Sequence, residues 1–109
     1  MQALKRTLEE YMSVEPIQTV RSSVIFGGTN QSLTLYEDHV VIHNPRQPGP
    51  DIVELRYQQI ADLYLHTGVF YATLTLSTGG GFRWMIRWLP KGQTMRAAAR
   101  IRERIRRPP

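Results

Sequence analysis

The feature that most constrains the fold is a pair of alternating segments on either side of a glycine cluster. In residues 69–77 and 82–89 the side chains alternate with a period of two, and Thr78-Gly79-Gly80-Gly81 lies between the two segments. This period is typical of β-strands, and the glycines allow the tight turn of a hairpin. The second segment places Phe82, Trp84, Ile86 and Trp88 on one side, and Arg83, Met85, Arg87 and Leu89 on the other. We expect a hairpin whose aromatic side faces the core.

Shorter β-prone segments precede this hairpin. They cover residues 17–26, 32–36, 40–43, 52–57 and 60–66, with a three-proline loop over 44–50. Before them, residues 2–12 have apolar positions at helical spacing, namely Leu4, Leu8, Tyr11 and Met12, and Pro16 fits a stop after this helix. Strands and helices do not alternate along the chain, which disfavours a parallel sheet.

A second helix is expected after Pro90. Met95, Ala98, Ile101 and Ile105 recur at spacings of three, three and four, so they share one helix face. We expect these four side chains to cover an apolar end of the sheet. The sequence thus predicts a mainly β fold, a roll or barrel of about seven antiparallel strands, with a C-terminal α-helix over one end and a short N-terminal helix.

Two stretches of the chain resemble a known family. Residues 35–42, Leu-Tyr-Glu-Asp-His-Val-Val-Ile, and the step at 54–63, Glu-Leu-Arg-Tyr-Gln-Gln-Ile-Ala-Asp-Leu, are similar to the opening strands of bacterial pleckstrin-homology-like (PH-like) domains. The resemblance covers about residues 20–105 as a pattern of apolar positions and turns. It implies a PH-like domain over 17–107, after an N-terminal helix and linker over 1–16. Such domains are binding scaffolds, and the fold does not fix the ligand.

The positive charge belongs to one end of the chain. The formal net charge is +5, but residues 91–109 hold seven Lys and Arg and one acid, so the rest is close to neutral. Contact with an anionic surface would use Arg96, Arg100, Arg104 and Arg107. Each basic residue near such a surface contributes about 1 kcal/mol. The alternative is that these arginines form a solvated helix face.

No catalytic, cofactor or metal site is expected. The chain has no cysteine, which excludes disulfides, thiolate zinc sites and cysteine nucleophiles. His39 and His43 would lie about 13 Å apart along a strand, too far for one metal ion. The glycine cluster lacks the Lys-Ser/Thr of a phosphate loop, and residues 27–31 offer no basic side chain for an inositol phosphate.

The leading functional prediction is a non-enzymatic binding module in the cytoplasm, with a protein partner or a second copy of the chain. Its expected interaction surface is the outer side of the last strand, namely Arg83, Met85 and Arg87. The aromatic residues beside these arginines also suit stacking on nucleic acid, but alternation of this kind favours a core strand. The alternative function is peripheral binding to an anionic membrane, or less favourably to nucleic acid, through the Arg-rich C-terminal helix. We identify no small-molecule substrate.

Overall fold

The computed structural model describes residues 15–23, 30–45 and 51–106. Along these residues, seven strands precede one helix: β1 (Gln18–Arg21), β2 (Ser32–Leu35), β3 (His39–His43), β4 (Ile52–Arg56), β5 (Ile60–Thr67), β6 (Tyr71–Thr78), β7 (Arg83–Pro90) and α1 (Lys91–Arg106). A 3₁₀ turn, Tyr57–Gln59, joins β4 to β5. The predicted mainly β fold ending in a helix is confirmed. The predicted N-terminal helix lies outside the described residues.

The strands form two antiparallel sheets. The first has the order β1-β2-β3-β4 and the second the order β5-β6-β7. One backbone hydrogen bond joins them where the Ser23 N–H donates to the Trp88 carbonyl at 2.7 Å. In the described part of the chain the sheets do not close into a barrel, so the barrel form of the prediction is wrong. Apart from this bond, the strand pairing runs within each sheet, as four strands in the first and three in the second.

A continuous core lies between the two sheets and α1. The register brings Val20, Leu33 and Ile42 side by side in the first sheet. The second sheet and the helix contribute further core residues, namely Leu74, Leu76, Ile86, Leu89, Ala97, Ala98 and Ile101. Because neighbouring residues of a strand point to opposite faces, each sheet has a second face turned away from this core.

Helix α1 covers the core with a face shifted from the predicted one. Ala98 and Ile101 are buried and Ile105 packs against the core, as predicted. Met95 is 48% exposed, however, and Thr94 is buried in its place. Thr94 lies one turn before Ala98 and its hydroxyl donates to the Pro90 carbonyl at 2.6 Å. The prediction for Met95 is wrong because this face is centred one residue earlier.

Strand β7 contains a bulge that the alternation does not show. Ala72 pairs with Leu89 whereas Leu74 pairs with Ile86, so β7 has one residue more than β6 between the two pairs. Beyond this point the faces of β7 exchange. Leu89 is therefore buried, while Trp88 is 40% exposed, the reverse of the prediction.

Phe82 also departs from the predicted core side. It precedes β7, and its carbonyl accepts a hydrogen bond from the Thr78 N–H at 2.9 Å, which closes the turn. Its ring is exposed and stacks on Trp84 with centroids 6.0 Å apart. A residue that closes a hairpin turn lies beyond the covered part of the sheet.

Candidate functional site

The outward face of the second sheet is the starting point of the candidate site. On this face β6 carries Thr73 and Thr75, which pair with His66 and Tyr64 of β5. On the other side, Thr75 pairs with Met85 of β7. Short hydroxyl side chains on the central strand thus lie between longer side chains on both neighbours, which makes this face concave.

The turn between β5 and β6 adds two apolar side chains at one end of this face. Val69 is 79% exposed and Phe70 is 76% exposed. The turn backbone is nevertheless anchored. The Gly68 N–H donates to the Tyr71 carbonyl at 2.8 Å, and the Lys91 N–H donates to the Phe70 carbonyl at 3.0 Å. Phe70 precedes β6, which begins at Tyr71, so the alternation of that strand does not place its side chain on the core face.

The β7 bulge supplies the opposite wall. Trp88 has a φ of +60°, which is uncommon for a bulky residue and is maintained by its surroundings. Its ring meets that of Tyr71 edge to face, with centroids 5.8 Å apart. The bulge therefore turns an aromatic side chain out of the core and onto the surface.

A buried glutamine from outside β7 forms hydrogen bonds with the β7 backbone beside the bulge. The Gln31 side-chain amide donates to the Met85 carbonyl at 3.3 Å and to the Asn44 side-chain oxygen at 3.1 Å. Its side-chain oxygen accepts from the Arg87 N–H at 3.4 Å. Because β7 is the last strand of the second sheet, these bonds satisfy backbone groups along its open edge. Gln31 thus ties the β7 backbone to the residues beside the first sheet.

The outward face of β6, the β5–β6 turn and the β7 bulge together form an open groove with a volume of about 650 Å³. It is lined by His66, Gly68, Val69, Phe70, Tyr71, Ala72, Thr73, Thr75, Met85, Arg87 and Trp88. Its walls are largely apolar and aromatic, and its floor is formed by the threonines of β6. A groove of this size is within the range of ligand-binding pockets in proteins.

The groove carries a positive charge. Arg87 is exposed, its Nε lies 3.2 Å from the Met85 sulfur, and the described residues that line the groove include no Asp or Glu. The nearest acid along the same face of β5 is Asp62, four residues before His66, or about 13 Å away along the strand. Any group that enters the groove beside Arg87 therefore meets a cation.

Part of this surface was predicted from the sequence. Of the predicted interaction residues, Met85 and Arg87 line the groove, whereas Arg83 lies further along the outer face, paired with Ser77. The sequence reasoning missed the two side chains of the β5–β6 turn and Trp88. Two bulky apolar residues directly after Gly68 were a usable signal for the turn. The bulge gave no signal in the sequence, because a strand with one extra residue still alternates before and after that residue.

The predicted anionic-surface arginines have different surroundings. Arg96 is exposed, and Arg107 lies outside the described residues. The Arg100 guanidinium donates to the Gln18 side-chain oxygen at 2.8 Å. The Arg104 side chain is only 12% exposed and lies 3.5 Å from the Glu37 carboxylate. The outer side of α1 also exposes Arg102 and Arg106.

Arg104 packs against a buried tyrosine. Its guanidinium lies 5.9 Å from the centre of the Tyr57 ring. The Tyr57 hydroxyl donates to the Tyr36 carbonyl at 2.6 Å. Burial raises the pKa of Tyr57 to about 12, and the charge of Arg104 acts in the opposite direction. These contacts join the end of α1 to the 3₁₀ turn and to the β2–β3 turn.

A histidine cluster lies at the start of β3. His39 Nδ1 lies 2.6 Å from Asp38, its Nε2 lies 3.8 Å from Glu54, and its ring stacks on Tyr36. The hydrogen bond with His39 lowers the pKa of Asp38. Within residues 15–23, 30–45 and 51–106, no group of three or more His, Cys, Asp or Glu is arranged to hold a metal ion.

Comparisons with protein-family models, with curated proteins and with solved structures found no match to this chain. Among the described residues, the one helix is too short and too polar to cross a bilayer.

Proposed function

We propose that the chain is a non-enzymatic PH-like binding module that mediates protein–protein interaction or self-association through the groove on its second sheet. The order of elements supports the PH-like assignment, since two antiparallel sheets are followed by one helix packed over their core. The observation that carries the proposal is the cluster of exposed apolar side chains Val69, Phe70, Met85 and Trp88 around one groove.

This cluster has the composition of an interface. Aromatic residues, methionine and arginine are enriched at the centres of protein interfaces, and tryptophan, tyrosine and arginine dominate their energetics. The groove brings together Phe70, Tyr71, Met85, Arg87 and Trp88. Burying a side chain such as Phe70 contributes about 1.5–3 kcal/mol. Isolated exposed apolar residues are common, but contiguous patches mark interaction sites.

The second groove in the described residues has a different character. Its volume is about 440 Å³, and its lining includes Gln58, Gln59, Gly79 and Gly80 beside Phe82 and Trp84. Amide side chains and glycine backbone form much of this surface, so it offers less apolar area to a partner. The groove between the β5–β6 turn and β7 is therefore the better candidate.

The test compares two exposed phenylalanines of the same sheet. Phe70→Ser removes a groove wall, while Phe82→Ser changes the same residue type at the other end of the sheet. Self-association is measured by size-exclusion chromatography with light scattering, and partner binding by capture on immobilised full chain. We expect Phe70→Ser to abolish the interaction and Phe82→Ser to preserve it. A monomer whose captured proteins are the same for both variants would contradict the proposal.

Peripheral binding to an anionic membrane through α1 is the second candidate. The observation that favours it is the exposure of Arg96, Arg102 and Arg106 on the outer side of the helix, with Glu103 as the one acid there. Flotation with phosphatidylserine vesicles tests it, since Arg96→Gln with Arg102→Gln should reduce the bound fraction. If this double variant floats with the vesicles as the wild type does, membrane binding through α1 is contradicted. Nucleic-acid binding by the same helix would instead show a steep salt dependence in a filter-binding assay.

A further inference from the structure

We infer that the groove takes a segment of another protein in which a large apolar side chain lies next to a carboxylate. This inference rests on the proposed function and specifies the chemistry of the partner. The apolar side chain would lie between Phe70 and Trp88, and the carboxylate would pair with the Arg87 guanidinium.

Charge complementarity is the first argument. Within the described residues the ion pairs join His39 to Asp38 and Glu54, and Arg104 to Glu37, so none involves Arg87. The Arg87 Nε contacts the sulfur of Met85, another residue of the lining, and this contact keeps the guanidinium beside the groove. A guanidinium binds a carboxylate through parallel hydrogen bonds, which are stronger than neutral ones.

A second copy of the chain, docked through the same groove, would bring no carboxylate from the described lining to pair with Arg87. In a twofold dimer the same patch meets itself, so Arg87 of each protomer would approach a lining whose described residues include no Asp or Glu. Like charges brought together in this way oppose association. A partner that carries its own carboxylate removes that repulsion.

The shape of the site favours a peptide over a lipid surface. A bilayer is flat on the scale of the groove, so its headgroups would leave the concave floor unfilled. The floor is also lined by two threonines, Thr73 and the mostly buried Thr75. Acyl chains cannot hydrogen-bond to hydroxyls, whereas a peptide brings backbone N–H and C=O groups to them.

The experiment selects ligands from a random peptide library displayed on phage, with the full chain immobilised. We expect enriched sequences to place Asp or Glu near Phe, Trp or Leu. The most enriched peptide is then synthesised and its affinity measured by fluorescence anisotropy. Arg87→Gln should weaken binding about tenfold, the size of effect expected for loss of one charge-assisted pair. Arg83→Gln, on the same strand and face but outside the groove, should leave the affinity unchanged.

Folding of each variant is checked by circular dichroism. The bond from the Arg87 N–H to Gln31 belongs to the backbone, so Arg87→Gln retains it. Raising the salt concentration to about 0.5 M should also weaken binding of the acidic peptide, because salt screens exposed charges.

The outcomes separate this inference from the proposed function. Peptides that need Phe70 but carry no acid and ignore Arg87→Gln would overturn the inference and leave the function standing. Peptides insensitive to Phe70→Ser would overturn both. A Phe70-dependent dimer without peptide binding would make the occupant a second copy. Phe70-dependent flotation with phosphatidylserine vesicles, again without peptide binding, would make it a lipid surface; either result overturns the inference.

Discussion

Gln31 is a buried polar residue whose position determines the form of the groove. Its side-chain amide and oxygen form hydrogen bonds with two backbone groups of β7 and with the side chain of Asn44. Its own N–H donates to the Ser22 hydroxyl at 2.8 Å. A buried polar group with its partners in place specifies one arrangement, because every alternative leaves a donor or acceptor unsatisfied.

Replacing Gln31 by leucine should therefore destabilise the protein by about 2–3 kcal/mol, since the Met85 carbonyl and the Arg87 N–H lose their partner inside the fold. Urea unfolding measures the change. Gln58→Leu is the matched control, because Gln58 is exposed on the 3₁₀ turn. Equal stability of the two variants would show that these hydrogen bonds of Gln31 do not stabilise β7.

Tyr57 gives a prediction about pH. The pKa of its hydroxyl is about 12 in the folded protein, above the ordinary value of 10.0. The folded state therefore disfavours the ionised form, and the free energy of unfolding should fall as the pH rises from about 10 to about 12. A pKa difference of two units corresponds to a loss of about 2–3 kcal/mol in the free energy of unfolding over this pH range.

Tyr57→Phe should flatten this dependence relative to the wild type, which is measured by denaturant unfolding at several alkaline pH values. The comparison concerns the slope, because the variant also loses the bond to the Tyr36 carbonyl. Tyr64→Phe, at an exposed tyrosine of β5, should keep the wild-type slope. A wild-type slope in Tyr57→Phe would contradict the prediction.

At the scale of elements, the helix shows how small a shift decides which residues are buried. Ile101→Ala should cost about 2–4 kcal/mol, because a fully buried side chain is truncated and leaves a cavity. Met95→Ala removes a side chain of similar size from the exposed side and should change the stability little. Chemical denaturation of both variants tests the helix face, and equal losses would mean that Met95 packs against the core.

Most elements could be predicted from the sequence because a strand or helix repeats its pattern over several residues. The β6–β7 hairpin and α1 have the longest repeats, and both lie where they were expected. The side of β7 that Trp88 and Leu89 occupy could not be predicted, because the bulge depends on the register with β6. The Trp88 wall of the groove was missed for the same reason, whereas Met85 and Arg87 were predicted as part of an interaction surface.

At the scale of the whole molecule, α1 unites the two sheets. It contacts β1 of the first sheet and β5, β6 and β7 of the second. The core residues of both sheets also form one cluster with those of the helix. Neither sheet buries its inner face without the other, so the described fold is one cooperative unit.

Thermal unfolding should accordingly follow a single transition. Tryptophan fluorescence, which reports on Trp84 and Trp88 of β7, should have the same midpoint as far-ultraviolet circular dichroism, which reports on all elements. The two probes would separate if the second sheet unfolded before the first.

The β7 bulge also has a consequence for how this surface can arise or disappear. With one residue fewer between Ile86 and Leu89, the pairing with β6 would be regular, and this stretch would hold one outward position instead of the two that Arg87 and Trp88 occupy. The groove would then keep either its cation or this aromatic wall, but not both. The groove is therefore encoded partly in the length of a strand. A single deletion here would restore a regular strand and remove one of these two groove residues in the same step.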